Sequence, residues 1–129
     1  MTQEEKDLLL KDICGRVPYN VKISINDRIE TLQGINVLDN VAEYGSFLSC
    51  DIEDIKPYLF PLSSMTEEQK EKFNSFFASV PYYGDNEHEH VVPYYFVELL
   101  IDFFHENHID NNSLIPKGLA IDATGLNIY

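Results

Sequence analysis

Basic residues are scarce in this chain of 129 residues. It contains 9 Lys and Arg against 22 Asp and Glu, so its formal net charge is −13 and its isoelectric point lies near 4.4. Binding to nucleic-acid phosphates and to anionic lipid draws on clustered Lys and Arg side chains. The composition therefore predicts neither a nucleic acid nor a membrane as a partner, and its negative field favours basic partners.

Long hydrophobic runs are also missing. The most apolar stretch, residues 91–104, is interrupted by Pro93, Glu98 and Asp102, and it is too short and too polar to cross a bilayer. The first six residues, MTQEEK, are polar and acidic, whereas a signal peptide begins with basic residues and continues with an apolar segment. We therefore expect a cytoplasmic protein.

Cysteine is represented by Cys14 and Cys50, which are far apart in the sequence and have no CxxC partner. In a reducing compartment, two such residues are expected to be free, mostly buried thiols. A disulfide between them is the alternative.

Motifs that prepare a catalytic group or a phosphate site are absent from the sequence. The six glycines are scattered, and no serine stands in a G-x-S-x-G context. The sequence therefore predicts a protein that is not an enzyme, with no catalytic residue, no cofactor and no metal.

The four histidines carry an alternative hypothesis. His88 and His90 lie in a predicted loop, and His105 and His108 lie at the end of a predicted helix. Residues at i and i+3 share a helical face, so the second pair, with Asp110 nearby and His88 or His90 folding over, could hold zinc through three or four ligands in a metal-binding hydrolase. The spacing differs from HExxH, and a protonated histidine at a helix C-terminus is also favoured by the helix dipole without any metal.

The spacing of apolar residues predicts an α+β fold. Thr2 and Glu5 match a capping box at the start of an amphipathic helix over residues 3–15. Between residues 20 and 51, alternating apolar and polar residues predict a small antiparallel sheet of three to five strands, which could curl into a barrel-like form. Gly34 is expected to mark a bulge in that sheet.

The second half of the chain is predicted to be mainly helical. A second capping box, T-x-x-Q, begins a helix over residues 66–80. A loop over 81–90 leads to another helix over 93–108, and the remaining residues form a tail that docks on the core. Pro57, upstream of these helices, is expected to stop a single helical turn.

Together these elements predict one α+β domain over residues 1–129, with an N-terminal helix and a sheet in 1–62 and a helical part in 63–129. The two later helices are expected to pack against each other. The predicted core residues are Leu9, Ile13, Val21, Ile23, Ile25, Phe73, Phe76, Phe77, Phe96, Leu99, Leu100, Phe103 and Phe104.

Three segments of the chain carry a resemblance to a family. They are TQEEKDLLLKDICGRVPYNVKI (2–23), DIEDIKPYLFPLSSMTEEQKEKF (51–73) and IDFFHENHIDNNSLIPKGLAIDA (101–123). They resemble an uncharacterised family of small hypothetical proteins from gut Bacteroidota and from the phages and mobile elements of these bacteria. The resemblance implies a shared fold and a bacterial or phage origin. It transfers no catalytic residue, because the family has no assigned activity.

Binding to another protein is the function that the sequence favours. Acids are densest in residues 85–110, where we expect a basic partner to bind. Paired tyrosines at 82–83 and 94–95 flank the acidic loop, and tyrosine is enriched at protein interfaces. The alternative is that these rings cover the seam between two helices. The expected role is that of a non-enzymatic accessory factor.

Mimicry of DNA is a second hypothesis, in which spaced carboxylates imitate phosphates and the protein acts as an inhibitor. Residues 1–65 hold 6 basic and 11 acidic side chains, a net −5, and residues 66–129 hold 3 and 11, a net −8. A mimic should gather its charge in one stripe, so this mild skew favours the simpler protein-binding role. The sequence leaves the oligomeric state open.

Overall fold

The computed structural model describes residues 1–78 and 94–129. The chain opens with the helix α1 (Gln3–Cys14). The Thr2 hydroxyl accepts a hydrogen bond from the Glu5 N–H, and the Glu5 carboxylate accepts one from the Thr2 N–H, both 3.1 Å long. The predicted capping box is therefore confirmed. The apolar face of α1 buries Leu9 and Ile13 completely.

Six strands form one open sheet in the order β4-β3-β2-β1-β5-β6. The neighbours are antiparallel except for β5 and β6, which are parallel. The strands are β1 (Lys22–Ile25), β2 (Arg28–Asn36), β3 (Val41–Tyr44), β4 (Leu48–Asp51), β5 (Lys56–Leu59) and β6 (Ile121–Asp122). The α+β class with a mainly antiparallel sheet is confirmed. Of the two forms that the sequence allowed, the sheet has the open one, since β4 and β6 end the strand order within the described residues.

Local signals account for β1 to β4. Asn26 and Asp27 join β1 to β2 with φ angles of 49° and 62°, the type I′ geometry that asparagine and aspartate tolerate. The pairing of β2 with β3 shifts register between Leu32 and Gly34, so the bulge expected at Gly34 is confirmed. A 3₁₀ helix (Ile52–Asp54) follows β4, where the sequence predicts a single helical turn.

Two strands, β5 and β6, lie outside residues 20–51, where the sheet was predicted, and they bring the number of strands to six, one more than the three to five expected. Pro57 was expected to end the helical turn, but it lies inside β5, opposite Ile23 of β1. An antiparallel ladder alternates its hydrogen bonds between successive pairs, so a proline can occupy a position whose N–H is not directed at the neighbouring strand. The tail supplies the other strand, β6, which pairs with Tyr58 and Leu59.

The helical part consists of α2 (Glu67–Ala78) and α3 (Tyr94–Glu106). The second capping box is confirmed by two hydrogen bonds between Thr66 and Gln69, 2.9 and 3.1 Å long. The helices pack as expected: the ring centroid of Phe103 lies 6.4 Å from that of Phe73 and 5.7 Å from that of Phe76. Burial of these rings holds the two helices together.

The core is divided into two clusters. The larger fills the space between α1 and the sheet, and the smaller lies under α3 around Phe103, Phe104 and Ile109. Of the predicted core residues whose side chains are described, one is wrong: Leu99 is 48% exposed. The side chain of Phe77 lies outside the described part. The buried ones are Leu9, Ile13, Val21, Ile23, Ile25, Phe96, Phe103 and Phe104, and the partly buried ones are Phe73, Phe76 and Leu100.

Candidate functional site

The structure separates the two histidines of the second pair, His105 and His108. The helix expected to reach residue 108 ends at Glu106, so His108 lies beyond it, with a φ of 56°, and no longer shares a helical face with His105. His88 and His90 lie outside the described residues. Among residues 1–78 and 94–129, no group of three His, Cys, Asp or Glu side chains could hold a metal ion.

His105 is buried against the end of α1. Its ring lies over Gly15, so close that a Cβ at Gly15 would come within 2.7 Å of the His105 Nδ1. Burial, and secondarily the positive charge of Arg16, lowers the pKa of His105. A neutral imidazole that fills the space above a glycine holds two elements together.

His108 is stacked on the ring of Tyr129. Their centroids are 3.7 Å apart, and their planes differ by 14°. Burial, with smaller contributions from Arg16 and Lys22, lowers the pKa of His108 to about 4. Its Nδ1 is buried and has no hydrogen-bond partner within the described part of the chain. The imidazole is therefore neutral near pH 7 and belongs to the packing of the tail.

A buried ion pair joins α1 to the segment after α3. Asp12 and Arg16 are both fully buried at their side chains, and the Arg16 Nε donates a 2.7 Å hydrogen bond to the Asp12 carboxylate. The Arg16 guanidinium also donates to the carbonyl oxygen of Ile109 and to the side chain of Asn111, both at 2.8 Å. The hydrogen-bond partners of both charged groups belong to this chain. The ion pair therefore has a structural role, since it ties α1 to the segment after α3.

Asp110, proposed above as a further metal ligand, also has a structural role. It is 5% exposed, and its two carboxylate oxygens accept hydrogen bonds from the backbone N–H groups of Leu114 and Ile115, both 2.9 Å long. These bonds close the turn that brings the tail back to the sheet, and they occupy the oxygens that a metal would need.

The two cysteines are free thiols, as expected. Both are partly exposed, which is less burial than predicted. Burial raises the pKa of the Cys14 thiol, and burial together with the neighbouring Asp54 and Asp51 carboxylates raises that of Cys50. A raised pKa leaves less thiolate at neutral pH, so neither cysteine is prepared as a nucleophile.

The most exposed aromatic side chain in the described residues lies at the tip of the β3–β4 hairpin. Phe47 has a relative exposure of 105% and a left-handed backbone with φ of 65°. That conformation is uncommon for a bulky residue, and an exposed ring gains nothing from burial to offset it. Leu48, the next residue, is 46% exposed. We call residues 45–48 the hairpin tip.

An open groove of about 620 Å³ lies beside the hairpin tip. Its lining combines the tip with polar side chains of the neighbouring strands, namely Gln33, Glu43 and Ser49. Glu43 and Ser49 are directly paired across β3 and β4 and are both exposed. The groove thus joins an apolar tip to a carboxylate on the outer face of the sheet.

The stretch of chain that contains the hairpin is acidic. Residues 29–55 contain six acids and no Lys, Arg or His. Two cations contact this stretch: Lys6 of α1 is paired with Glu53, and Lys22 of β1 donates a hydrogen bond to the Thr31 hydroxyl. In the strand order, β2 and β3 lie between β1 and β4. A basic group that approaches β4 therefore meets little opposing positive charge.

The acidic region favoured by the sequence, residues 85–110, is described from residue 94 onward. There the carboxylates of Glu98, Asp102 and Glu106 are exposed on α3, and Glu106 is 3.4 Å from Lys72 of α2. The side chains of the four paired tyrosines lie outside the described part.

Reasoning from motifs missed the hairpin tip. The sequence predicts strand from Phe47 to Cys50, whereas β4 begins at Leu48 and Phe47 lies in the turn before it. The sequence signal that could have identified the site is the stretch of residues 29–55, which contains Phe47 and has no basic residue.

No helix in the described ranges is long and apolar enough to cross a membrane. Comparisons of the chain with protein-family models, with curated proteins and with solved structures return no match.

Proposed function

We propose that this chain is a non-enzymatic accessory protein that binds another, basic protein through the hairpin tip. The observation that carries the proposal is Phe47, a fully exposed ring held on a left-handed backbone. Aromatic side chains, phenylalanine among them, are enriched in the buried cores of protein interfaces. A strained, exposed ring gives the isolated chain no stability, and a partner that covers it supplies the missing burial.

The charge around the tip supports the choice of a basic partner. The six acids of residues 29–55 act together on an approaching protein, and such fields raise association rates more than they raise final affinity. We further propose a cytoplasmic setting, for which the free cysteines and the resemblance to proteins of bacteria and phages give support.

The roles of the potentially reactive side chains support a non-enzymatic function. His105, His108 and Asp110 are engaged in packing or in capping the chain. Both thiols have a raised pKa. A binding role requires none of these groups to react.

Affinity capture from a bacterial lysate tests the proposal. The wild-type chain, Phe47→Ser and Leu38→Ser are immobilised, and bound proteins are eluted at low and at high salt. Leu38 is 95% exposed in the turn between β2 and β3, so its replacement removes a similar apolar side chain away from the tip. We expect a basic protein that the wild type and Leu38→Ser retain and Phe47→Ser loses. Equal capture by all three, or no salt-sensitive capture, contradicts the proposal.

A further inference from the structure

The strand β4 is an open edge of the sheet. In the described ranges it pairs with β3 and with no other strand. A strand at the edge offers unpaired backbone donors and acceptors to any extended chain that approaches it. Many edges are protected by a covering loop or helix, whereas three of the four residues of β4, Leu48, Ser49 and Asp51, are exposed.

The hydrogen-bond pattern identifies which groups face outward. The Ile52 N–H donates a 2.9 Å hydrogen bond to the carbonyl oxygen of Asn40, in the same register in which Cys50 pairs with Ala42. Because hydrogen-bonded and non-hydrogen-bonded pairs alternate in an antiparallel ladder, the N–H and C=O groups of Cys50 point at β3. Those of Ser49 and Asp51 therefore point at the free edge.

The two faces of the edge differ in chemistry. Ser49 and Asp51 project their side chains to the exposed outer face, on the side of Glu43. Leu48 and Cys50 project to the other face, beside the core residues Tyr44 and Ala42. Side chains directly opposite in paired strands share a face. A strand that pairs with β4 therefore places alternate residues beside a carboxylate and beside apolar groups.

Charge selects among the strands that could pair there. The acids of residues 29–55 disfavour an acidic segment and attract a basic one. A second copy of this chain would bring a further net charge of −13 and place Asp51 on both sides of the contact, and like charges across paired strands are destabilising.

We propose that β4 accepts an extended segment of the partner protein, in which apolar residues alternate with Lys or Arg, as an added strand. The cationic residues lie on the outer face near Asp51 and Glu43, and the apolar residues lie beside Leu48. Phe47 covers the end of the added strand. This inference rests on the proposed function, since it assigns the mode of binding at the same hairpin.

The acetylated and amidated hexapeptide KVKVKV is the probe that tests it. The peptide is titrated into the full-length, ¹⁵N-labelled chain while amide chemical shifts and amide hydrogen exchange are recorded. We expect shifts centred on β4 and slower exchange at the Ser49 and Asp51 amides, which strand addition would pair. The peptide EVEVEV, and KVKVKV with alternate amides N-methylated, should produce neither effect.

A matched pair of variants tests the edge from the side of the protein. Ser49→Pro removes an outward N–H and leaves the hydrogen bonds to β3 in place, whereas Ser49→Ala keeps the N–H and removes the hydroxyl. We expect Ser49→Ala to respond to KVKVKV like the wild type and Ser49→Pro to lose the response at β4. If Ser49→Pro does not fold, the N-methylated peptide still decides the question.

Three results overturn the inference, and they separate it from the proposed function. Shifts confined to the hairpin tip that survive N-methylation would exclude strand addition while leaving protein binding through Phe47 intact. No response to KVKVKV at any residue excludes strand addition at β4. Binding of a basic protein through Phe47 is then tested separately by the capture experiment. Protection of the Ser49 amide that rises with protein concentration alone would assign the edge to a second copy.

Discussion

The phenolic hydroxyl of Tyr129 donates a 2.7 Å hydrogen bond to the carbonyl oxygen of Tyr58 on β5. The same hydroxyl accepts a 2.8 Å hydrogen bond from the N–H of Lys22 on β1. Extension of the β1–β5 register by one pair places Lys22 opposite Tyr58. The Tyr129 hydroxyl therefore lies where a direct hydrogen bond from the Lys22 N–H to the Tyr58 carbonyl oxygen would otherwise form. One residue of the tail thereby fixes the junction of two strands, and the burial of its hydroxyl raises its pKa to about 12.

Removal of that hydroxyl should destabilise the fold. In Tyr129→Phe the Lys22 N–H and the Tyr58 carbonyl lose their shared partner, and a partly buried unpaired group costs about 1–3 kcal/mol. We expect a lower midpoint in urea unfolding with an unchanged slope. Tyr19→Phe is the control, because no hydrogen bond to the Tyr19 hydroxyl occurs among the described residues, and it should change the free energy of unfolding by less than about 0.5 kcal/mol. Equal losses in both variants would show that the bridge contributes nothing.

The buried pair of Asp12 and Arg16 predicts strong coupling. Asp12→Ala leaves the Arg16 charge buried with fewer partners, which should cost about 3–5 kcal/mol. The double variant Asp12→Leu with Arg16→Met removes both charges and should lose less than the single variant. Unfolding in urea measures each loss. A double variant that loses more stability than Asp12→Ala would contradict this account.

The low pKa of His108 predicts acid sensitivity. The group has a pKa of about 4 in the folded chain against about 6.5 when unfolded, so the unfolded chain binds the proton more tightly. The stability that neutral His108 contributes is complete above about pH 6.5 and is lost as the pH falls toward 4. The loss should be smaller than the roughly 3 kcal/mol of the full pKa difference, because the ring is partly exposed and solvent screens its charge. His105 acts in the same direction, since its pKa is also lowered.

The variant His108→Asn checks the assignment. Asparagine tolerates the left-handed backbone at this position and does not titrate. The free energy of unfolding, measured between about pH 4 and 6.5, should therefore depend less steeply on pH in the variant than in the wild type. An unchanged slope would assign the acid sensitivity to other groups.

The contact of Gly15 with His105 predicts a substitution whose effect depends on its neighbour. Gly15 has a helical φ of −74°, so alanine fits its backbone and would by itself favour the helix. The added Cβ instead meets the His105 ring, and overpacking of this kind costs about 1–3 kcal/mol. In a His105→Ala background the same substitution should be neutral or stabilising. A double-mutant cycle by thermal unfolding measures the coupling, and additive effects would exclude the contact as the cause.

Local sequence signals were sufficient for part of the fold. Both capping boxes, the bulge at Gly34 and the first four strands were predictable, because each depends on residues within a few positions of one another. The strands β5 and β6 were not. Pro57 locally opposes a strand, and a parallel pair as short as that of Leu59 with Asp122 exists because the folded tail brings the two segments together.

The candidate site was predictable in its charge and not in its geometry. The absence of basic residues around Phe47 is visible in the sequence, but the left-handed φ and full exposure of the ring depend on how the hairpin closes. The position of His108 shows the same limit. Its spacing from His105 predicts that the two side chains share a helical face. The helix instead ends before His108, whose φ is positive, and no local sequence pattern predicts that change of backbone.

A trade between stability and binding is expected at Phe47. A bulky residue held at a φ of 65° costs about 1–2 kcal/mol relative to a residue that tolerates the left-handed region. Phe47→Asn should therefore stabilise the isolated chain by about 1 kcal/mol in urea unfolding while it weakens capture of the basic partner. Leu38→Asn, at a similarly exposed position without a positive φ, should alter neither quantity by much. A Phe47→Asn variant that is destabilised would show that the ring serves the fold, and the argument for an interface anchor would then fail.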